Sequence, residues 1–219
     1  MTRRIEFDQG LEELNKLIVE MGGRVENALS EAMKALAAVD IEQAKLIIRA
    51  DSEINQMEEK ITDIGSRLIA TQQPVAKDLR RILVAFKISN DLERMADLAV
   101  DIAKAVVRFE GQRLIKPLVD LPRMAETVQT MIYESTQAFI RESVDLAYKM
   151  AKDDDAVDAL YSQILMDLFA LMIEDPKNAN QVMNLSFVGR YIERIGDHAT
   201  NIGESVVYLV TGKRPDLNA

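Results

Sequence analysis

Cysteine and tryptophan are absent from this chain of 219 residues, and histidine occurs once. Without cysteine there is no disulfide, no thiolate metal site and no cysteine nucleophile, a composition that fits a reducing compartment. A single histidine cannot supply the two Glu-x-x-His motifs with which helical di-iron enzymes line their bundle interiors. No Gly-rich phosphate loop, Gly-x-Ser-x-Gly elbow or His-Glu-x-x-His occurs, so catalysis has no motif to support it. A basic surplus is missing too. The 27 Lys and Arg stand against 36 Asp and Glu for a net charge of −9, a field that repels nucleic-acid backbones. No stretch reads as the roughly 20 apolar residues that span a bilayer. Met1-Thr2-Arg3-Arg4-Ile5-Glu6-Phe7-Asp8 meets acidic residues too early for a signal peptide. The expectation is a cytoplasmic protein with no direct membrane insertion, reaching a membrane only through a partner.

What remains is helix. Nine Gly and five Pro interrupt a chain that is 48% apolar and 29% charged, and the apolar residues recur at spacings of three and four. The first helix carries its seam on Phe7, Leu11, Leu14, Ile18, Met21, Val25, Ala28 and Ala32, up to a turn at Val39-Asp40. The second runs on Ala44, Ile47, Ile54, Met57, Ile61, Ile64 and Leu68 and stops at Gln73-Pro74, where proline ends the hydrogen-bond ladder. The third follows Ile88, Leu92, Met95, Ala99, Ile102 and Val106 to Gly111. A linker with Pro117 and Pro122 follows. The plan then repeats through Met124, Val128 and Met131, through Met150, Val157, Leu160 and Ile164 to Asp175-Pro176, and through a sixth helix ending near Gly212. The predicted fold class is all-α: two tandem three-helix bundles, six helices in all, over residues 1–113 and 114–219.

The repeat is visible in the residues themselves. Shifted by 100 positions, Glu93, Arg94, Asp97, Ala99, Ile102, Val106 and Val107 recur as Glu193, Arg194, Asp197, Ala199, Ile202, Val206 and Val207. At a shift of 103, Asp51 interrupts one middle-helix seam as Asp154 interrupts the other.

Glu93, Asp97 and Asp101 fall at i, i+4 and i+8, a strip about 80° wide opposite the apolar seam, and are expected to point outward. Glu193, Asp197 and Asn201 repeat the pattern. Carboxylates one turn apart can chelate a cation, with a strip from the other repeat completing the ligand set. They can equally form a solvated charged face, with Arg94 and Arg194 pairing at i, i+3 with Asp97 and Asp197. Asp51 and Asp154 sit at seam positions and are expected to be partly buried, either fixing helix register or acting as ligands. His198 is expected to be structural or solvent-facing. The methionines, among them Met131, Met150, Met166, Met172 and Met183, are expected to fill core.

Gln73-Pro74 followed by Asp78-Leu79-Arg80, Asp91-Leu92-Glu93-Arg94-Met95-Ala96-Asp97, Glu174-Asp175-Pro176 and Tyr191-Ile192-Glu193-Arg194-Ile195-Gly196-Asp197-His198 together resemble the PhoU family. The resemblance covers essentially the whole chain. It implies a non-enzymatic cytoplasmic homodimer that works with the phosphate ABC transporter's ATPase and a phosphate-sensing histidine kinase to repress phosphate-starvation genes. It also implies surface-bound metal, iron, zinc or another divalent cation, at Glu93, Asp97 and Asp101 and at Glu193 and Asp197. Asn201 departs from the all-carboxylate pattern as a weaker, neutral ligand. The competing readings are a metal-dependent helical enzyme and a structural helical scaffold.

Overall fold

The computed structural model describes residues 2–50 and 52–217, and every regular element among them is helical. The order is α1 (Thr2–Ala38), α2 (Ile41–Ala50), α3 (Ser52–Gln72), α4 (Lys77–Arg108), α5 (Asp120–Arg141), α6 (Val144–Glu174) and α7 (Ala179–Thr211). The fold class is the one the periodicity predicts. α2 and α3 together stand in the first bundle where α6 stands in the second. Asp51, between α2 and α3, lies outside the described residues.

Equivalent turns use equivalent chemistry. After α1 the chain turns at Val39, with φ of 51°, and Asp40 Oδ1 accepts the Gln43 N–H at 3.0 Å. After α5 it turns at Glu142, with φ of 50°, and Ser143 Oγ accepts the Leu146 N–H at 3.3 Å. Both caps satisfy a backbone donor that the first helical turn leaves without a partner. Gly212 caps α7, and Gly111 lies in the turn that follows α4, each with φ of 75°, a left-handed conformation that a Cβ would disfavour. The two proline breaks differ. Pro176 opens a one-turn 3₁₀ helix (Pro176–Asn178) in which Asp175 Oδ1 accepts the Lys177 N–H at 3.0 Å, and Pro74 opens none.

α4 and α7 lie at the centre, packed on each other, while α1 reaches from α4 across to α5. The two bundles are therefore joined by one hydrophobic cluster that runs from Ile18 and Met21 through Leu92 and Met95 to Val188 and Ile192, all fully buried. Burial of side chains of this size stabilises by about 1.5–3 kcal/mol each before the entropy of ordering is set against it. α1 and α5 approach closely because Gly22 has no side chain; a Cβ there would lie 2.5 Å from Thr136 Cγ2. α4 and α7 are antiparallel and clasp each other's ends. Arg80, at the start of α4, donates to the carbonyls of Tyr208 and Leu209 at 3.3 and 3.2 Å, a cation at the negative end of α7. Gln181, at the start of α7, donates to the Arg113 carbonyl at 2.9 Å and accepts from Ile115 N–H at 3.0 Å.

Candidate functional site

A grouping of carboxylates that influence one another lies between α6 and α7. Gly196 makes it possible: a Cβ at that position would sit 2.8 Å from Asp154 Oδ1, so the missing side chain is the space the carboxylate occupies. Asp154 is buried, and its Oδ1 has no hydrogen-bond partner. Burial, reinforced by the negative charges of Asp197, Asp158 and Glu193, pushes its carboxyl up to about 7. Glu193 and Asp197 are also raised, again first by burial and then by neighbouring carboxylates. Glu193 is 8% exposed; one of its oxygens meets Arg190 and the other, Oε2, is buried without a hydrogen bond. Three carboxylates, Asp154, Glu193 and Asp197, are thus drawn away from solvent beside the exposed Asp158, with Arg190 paired to Glu193.

This corrects two expectations. The strip on α7 does not point outward, because α7 is packed on α4, α5 and α6 and retains little free surface. The carboxylates that approach it come from the middle helix of its own repeat, Asp154 and Asp158, and not from the other repeat's strip. On α4 the strip is half-buried along its length: Glu93, Asp97 and Asp101 are all intermediate in exposure. There the i, i+3 pairing appears as predicted, Arg94 to Asp97 at 3.3 Å, and Lys104 pairs with Asp101 at 2.8 Å. In α7 the arginine paired with the strip is Arg190, whose counterpart position on α4 is Asn90.

Hard oxygen donors suit a hard cation. As placed, however, no group of three or more Asp, Glu or His side chains among the described residues converges to hold a metal ion. Arg190 occupies Glu193 and Arg94 occupies Asp97, so a cation would have to displace them. Asn201 is half-buried at the far end of the α7 strip.

His198 is structural. Its Nδ1 lies 3.0 Å from Oδ1 of Asp91 on α4, joining the two repeats, and the second oxygen of Asp91 is buried without a hydrogen bond. Asp91 was not a candidate on sequence; its polar character inside an apolar seam, next to Leu92, was the signal. The methionines divide. Met131 and Met150 are fully buried as expected, but Met166 is 66% and Met183 53% exposed, which corrects their assignment to the core. They belong to an apolar surface that also includes Phe169, Ile173 and Phe187. α6 is moreover long and apolar enough to cross a membrane by length and composition, contrary to the reading of the bare sequence; only 17% of its most apolar 18-residue window is buried. In this fold it is a bundle helix, packed on α5 and α7 through Ala147, Met150, Val157, Ile164 and Leu168.

Likeness to known proteins extends over both repeats. The family model described as "PhoU domain" matches residues 18–106 and 121–206. A protein of Clostridium acetobutylicum named "Phosphate-specific transport system accessory protein PhoU homolog" is 43% identical over 219 residues, covering all of both chains. The Escherichia coli protein named "Phosphate-specific transport system accessory protein PhoU" is 35% identical over 95% of this chain and 86% of its own length. Among solved structures, PhoU from Pseudomonas aeruginosa superimposes with a TM-score of 0.89 at 38% identity, over 94% of this chain and all of that one.

Proposed function

The chain belongs to the PhoU family, and from that premise we propose that it is a cytoplasmic accessory protein of phosphate uptake that represses the phosphate-starvation response when phosphate is plentiful. The observation that carries this reading is the end-to-end likeness to relatives named as accessory proteins of the phosphate-specific transport system. In this reading the chain is a non-enzymatic homodimer that docks on the transporter's ATPase and on a phosphate-sensing histidine kinase. Such an adaptor transmits a signal only if it binds the conformational states of its partners with different affinities, since equal affinity shifts no equilibrium. Affinity of the purified chain for the ATPase subunit, with and without bound nucleotide, is the direct test. A difference of several-fold or more between the two states supports the adaptor; equal affinity, or none, removes it.

Metal belongs to the proposal as an accessory and not as a premise. Glu193, Asp197, Asp154 and Asp158 in the second repeat, and Glu93, Asp97 and Asp101 in the first, would hold iron, zinc or another divalent cation once the paired arginines are displaced, with Asn201 adding a neutral oxygen. The cation would neutralise the clustered carboxylates and change the charge this face presents. Elemental analysis of protein purified without chelator, beside an Asp97→Asn plus Asp197→Asn variant of equal helicity, decides the matter. Stoichiometric metal lost in the variant makes the clusters metal sites, and metal in neither leaves them as charged faces.

A further inference from the structure

In a chain of net charge −9, one end of the α4–α7 pair gathers cations. Leu83 and Lys87 of α4, Glu204 and Tyr208 of α7, and Arg214 and Pro215 of the segment after α7 line a cleft of about 280 Å³ there. That segment is fastened on both sides of the cleft. The Leu217 N–H donates to Glu204 Oε1 at 2.9 Å, the Leu217 side chain packs on the core, and the Arg214 guanidinium lies 4.9 Å from the centre of the Tyr208 ring. Arg80 stands over the same ring at 5.2 Å.

Two guanidiniums on one ring repel each other, and Lys87 brings a third positive charge to the cleft. Nearby, Lys77 and Arg81 both pair with Glu142. Arg80, Lys87 and Arg214 form no ion pair among the described residues. Glu204 is the one carboxylate in the cleft wall, and one of its oxygens already accepts from Leu217. Lys213 and Asp216, in the same segment, offset each other. Three cations against one carboxylate leave a double positive charge that the chain itself does not pair.

The internal repeat shows that this is not required by the frame. After α4 the chain packs Leu114, Ile115 and Leu118 on the core, and Phe187 stands on α7 where α4 has Lys87. The segment after α7 brings Arg214 and Pro215 in place of those apolar side chains.

We infer that the cleft is a site for a phosphate dianion, held between Lys87 and Arg214, either as inorganic phosphate or as the end group of a small phosphate monoester. The planar fork of arginine matches phosphate oxygens and lysine adds a mobile point charge, while the double positive charge matches a dianion. Tyr208 holds the Arg214 guanidinium at the cleft before any anion arrives. Leu83 and Pro215 give the wall an apolar side against which the organic part of a monoester can lie. The site goes beyond the adaptor role, and either can fail without the other.

Equilibrium dialysis of the full chain at low ionic strength, against radioactive inorganic phosphate and separately against glycerol phosphate, tests this. Wild type is compared with Lys87→Gln plus Arg214→Gln, and with Lys16→Gln plus Lys45→Gln, which removes the same charge from exposed pairs elsewhere. The expected result is saturable binding of one anion per chain in wild type and control, at least about tenfold weaker in the cleft variant at equal helicity. Saturation by inorganic phosphate makes the free anion the ligand, and saturation by glycerol phosphate alone makes it a monoester. Saturable binding of neither anion, or binding as tight in the cleft variant as in wild type, overturns the site. A second readout needs no variant. Acylation of lysines in the wild type, mapped by mass spectrometry, should spare Lys87 when the anion is present and leave Lys16 and Lys45 reacting as before; Lys87 that reacts equally with and without the anion contradicts the inference.

Discussion

Where α3 has Gly65 the second repeat has Leu168, and where α4 has Phe86 the second repeat has Ser186. The first repeat leaves room on its middle helix and fills it from the third: a Cβ on Gly65 would lie 2.2 Å from Phe86 Cε1. The second repeat reverses the sizes. Farther along the same pair of helices, Ala96 in one repeat answers Gly196 in the other, and only Gly196 leaves space for the buried Asp154 carboxylate. On the outside, Asp63 and Ser66 answer Met166 and Phe169. Duplication has kept the frame, its turns and its seams, and the pairs of residues between the second and third helices have diverged in size, charge and polarity. The second repeat emerges with a buried carboxylate cluster and an apolar outer face, the first with a solvated one.

The size exchange offers the largest effect. Gly65→Leu drives a branched side chain into the Phe86 ring and should cost about 2–3 kcal/mol in urea unfolding. Adding Phe86→Ser, which transplants the second repeat's pair, should recover most of it. A double variant as unstable as the sum of its singles would break the comparison.

Asp154 is next. Its raised carboxyl holds a proton in the folded chain that the unfolded chain releases between the ordinary aspartate range and about pH 7. The stability this group contributes is complete in acid and is lost as pH rises through 7. Asp154→Asn should therefore be more stable than wild type by about 1–3 kcal/mol at pH 8, with the gain shrinking to nothing near pH 4. A gain of the same size at both pH values would mean that the proton is not the cause.

His198→Ala strips Asp91 of its partner across the repeats and should cost about 1–2 kcal/mol. An Asp91→Asn plus His198→Ala chain should lose less than the two single changes together, and full additivity would deny that the pair is coupled. The smallest contrast lies between the arginines. Arg190→Ala, which leaves buried Glu193 without its partner, should cost about 1 kcal/mol or more, whereas Arg94→Ala, at an exposed pair, should stay within about 0.5 kcal/mol.

The all-helical class, the breaks at Pro74 and Pro176 and the internal repeat were legible in the sequence, because period, proline and duplication are local signals. The orientation of the carboxylates was not. One helix's seam shows where that helix is most apolar, but α7 has neighbours on three sides, and Glu193 is buried by α6 although it lies off the seam. Asp154 was legible as a polar residue in a seam; its place beside Gly196 needed the pairing of two helices far apart in the chain. Met166 and Met183 were misassigned for the converse reason, since composition counts apolar residues and does not say how many the core can hold. The cross-repeat bond of His198 to Asp91 depends on how the bundles dock, which neither repeat specifies alone.

The most direct measurement is the output of a phosphate-starvation reporter in cells deleted for this chain, grown with phosphate in excess. The account predicts that the reporter is switched on in the deletion and silenced again when the chain is supplied. A reporter that stays silent in the deletion and responds normally to phosphate would contradict the regulatory role at its root.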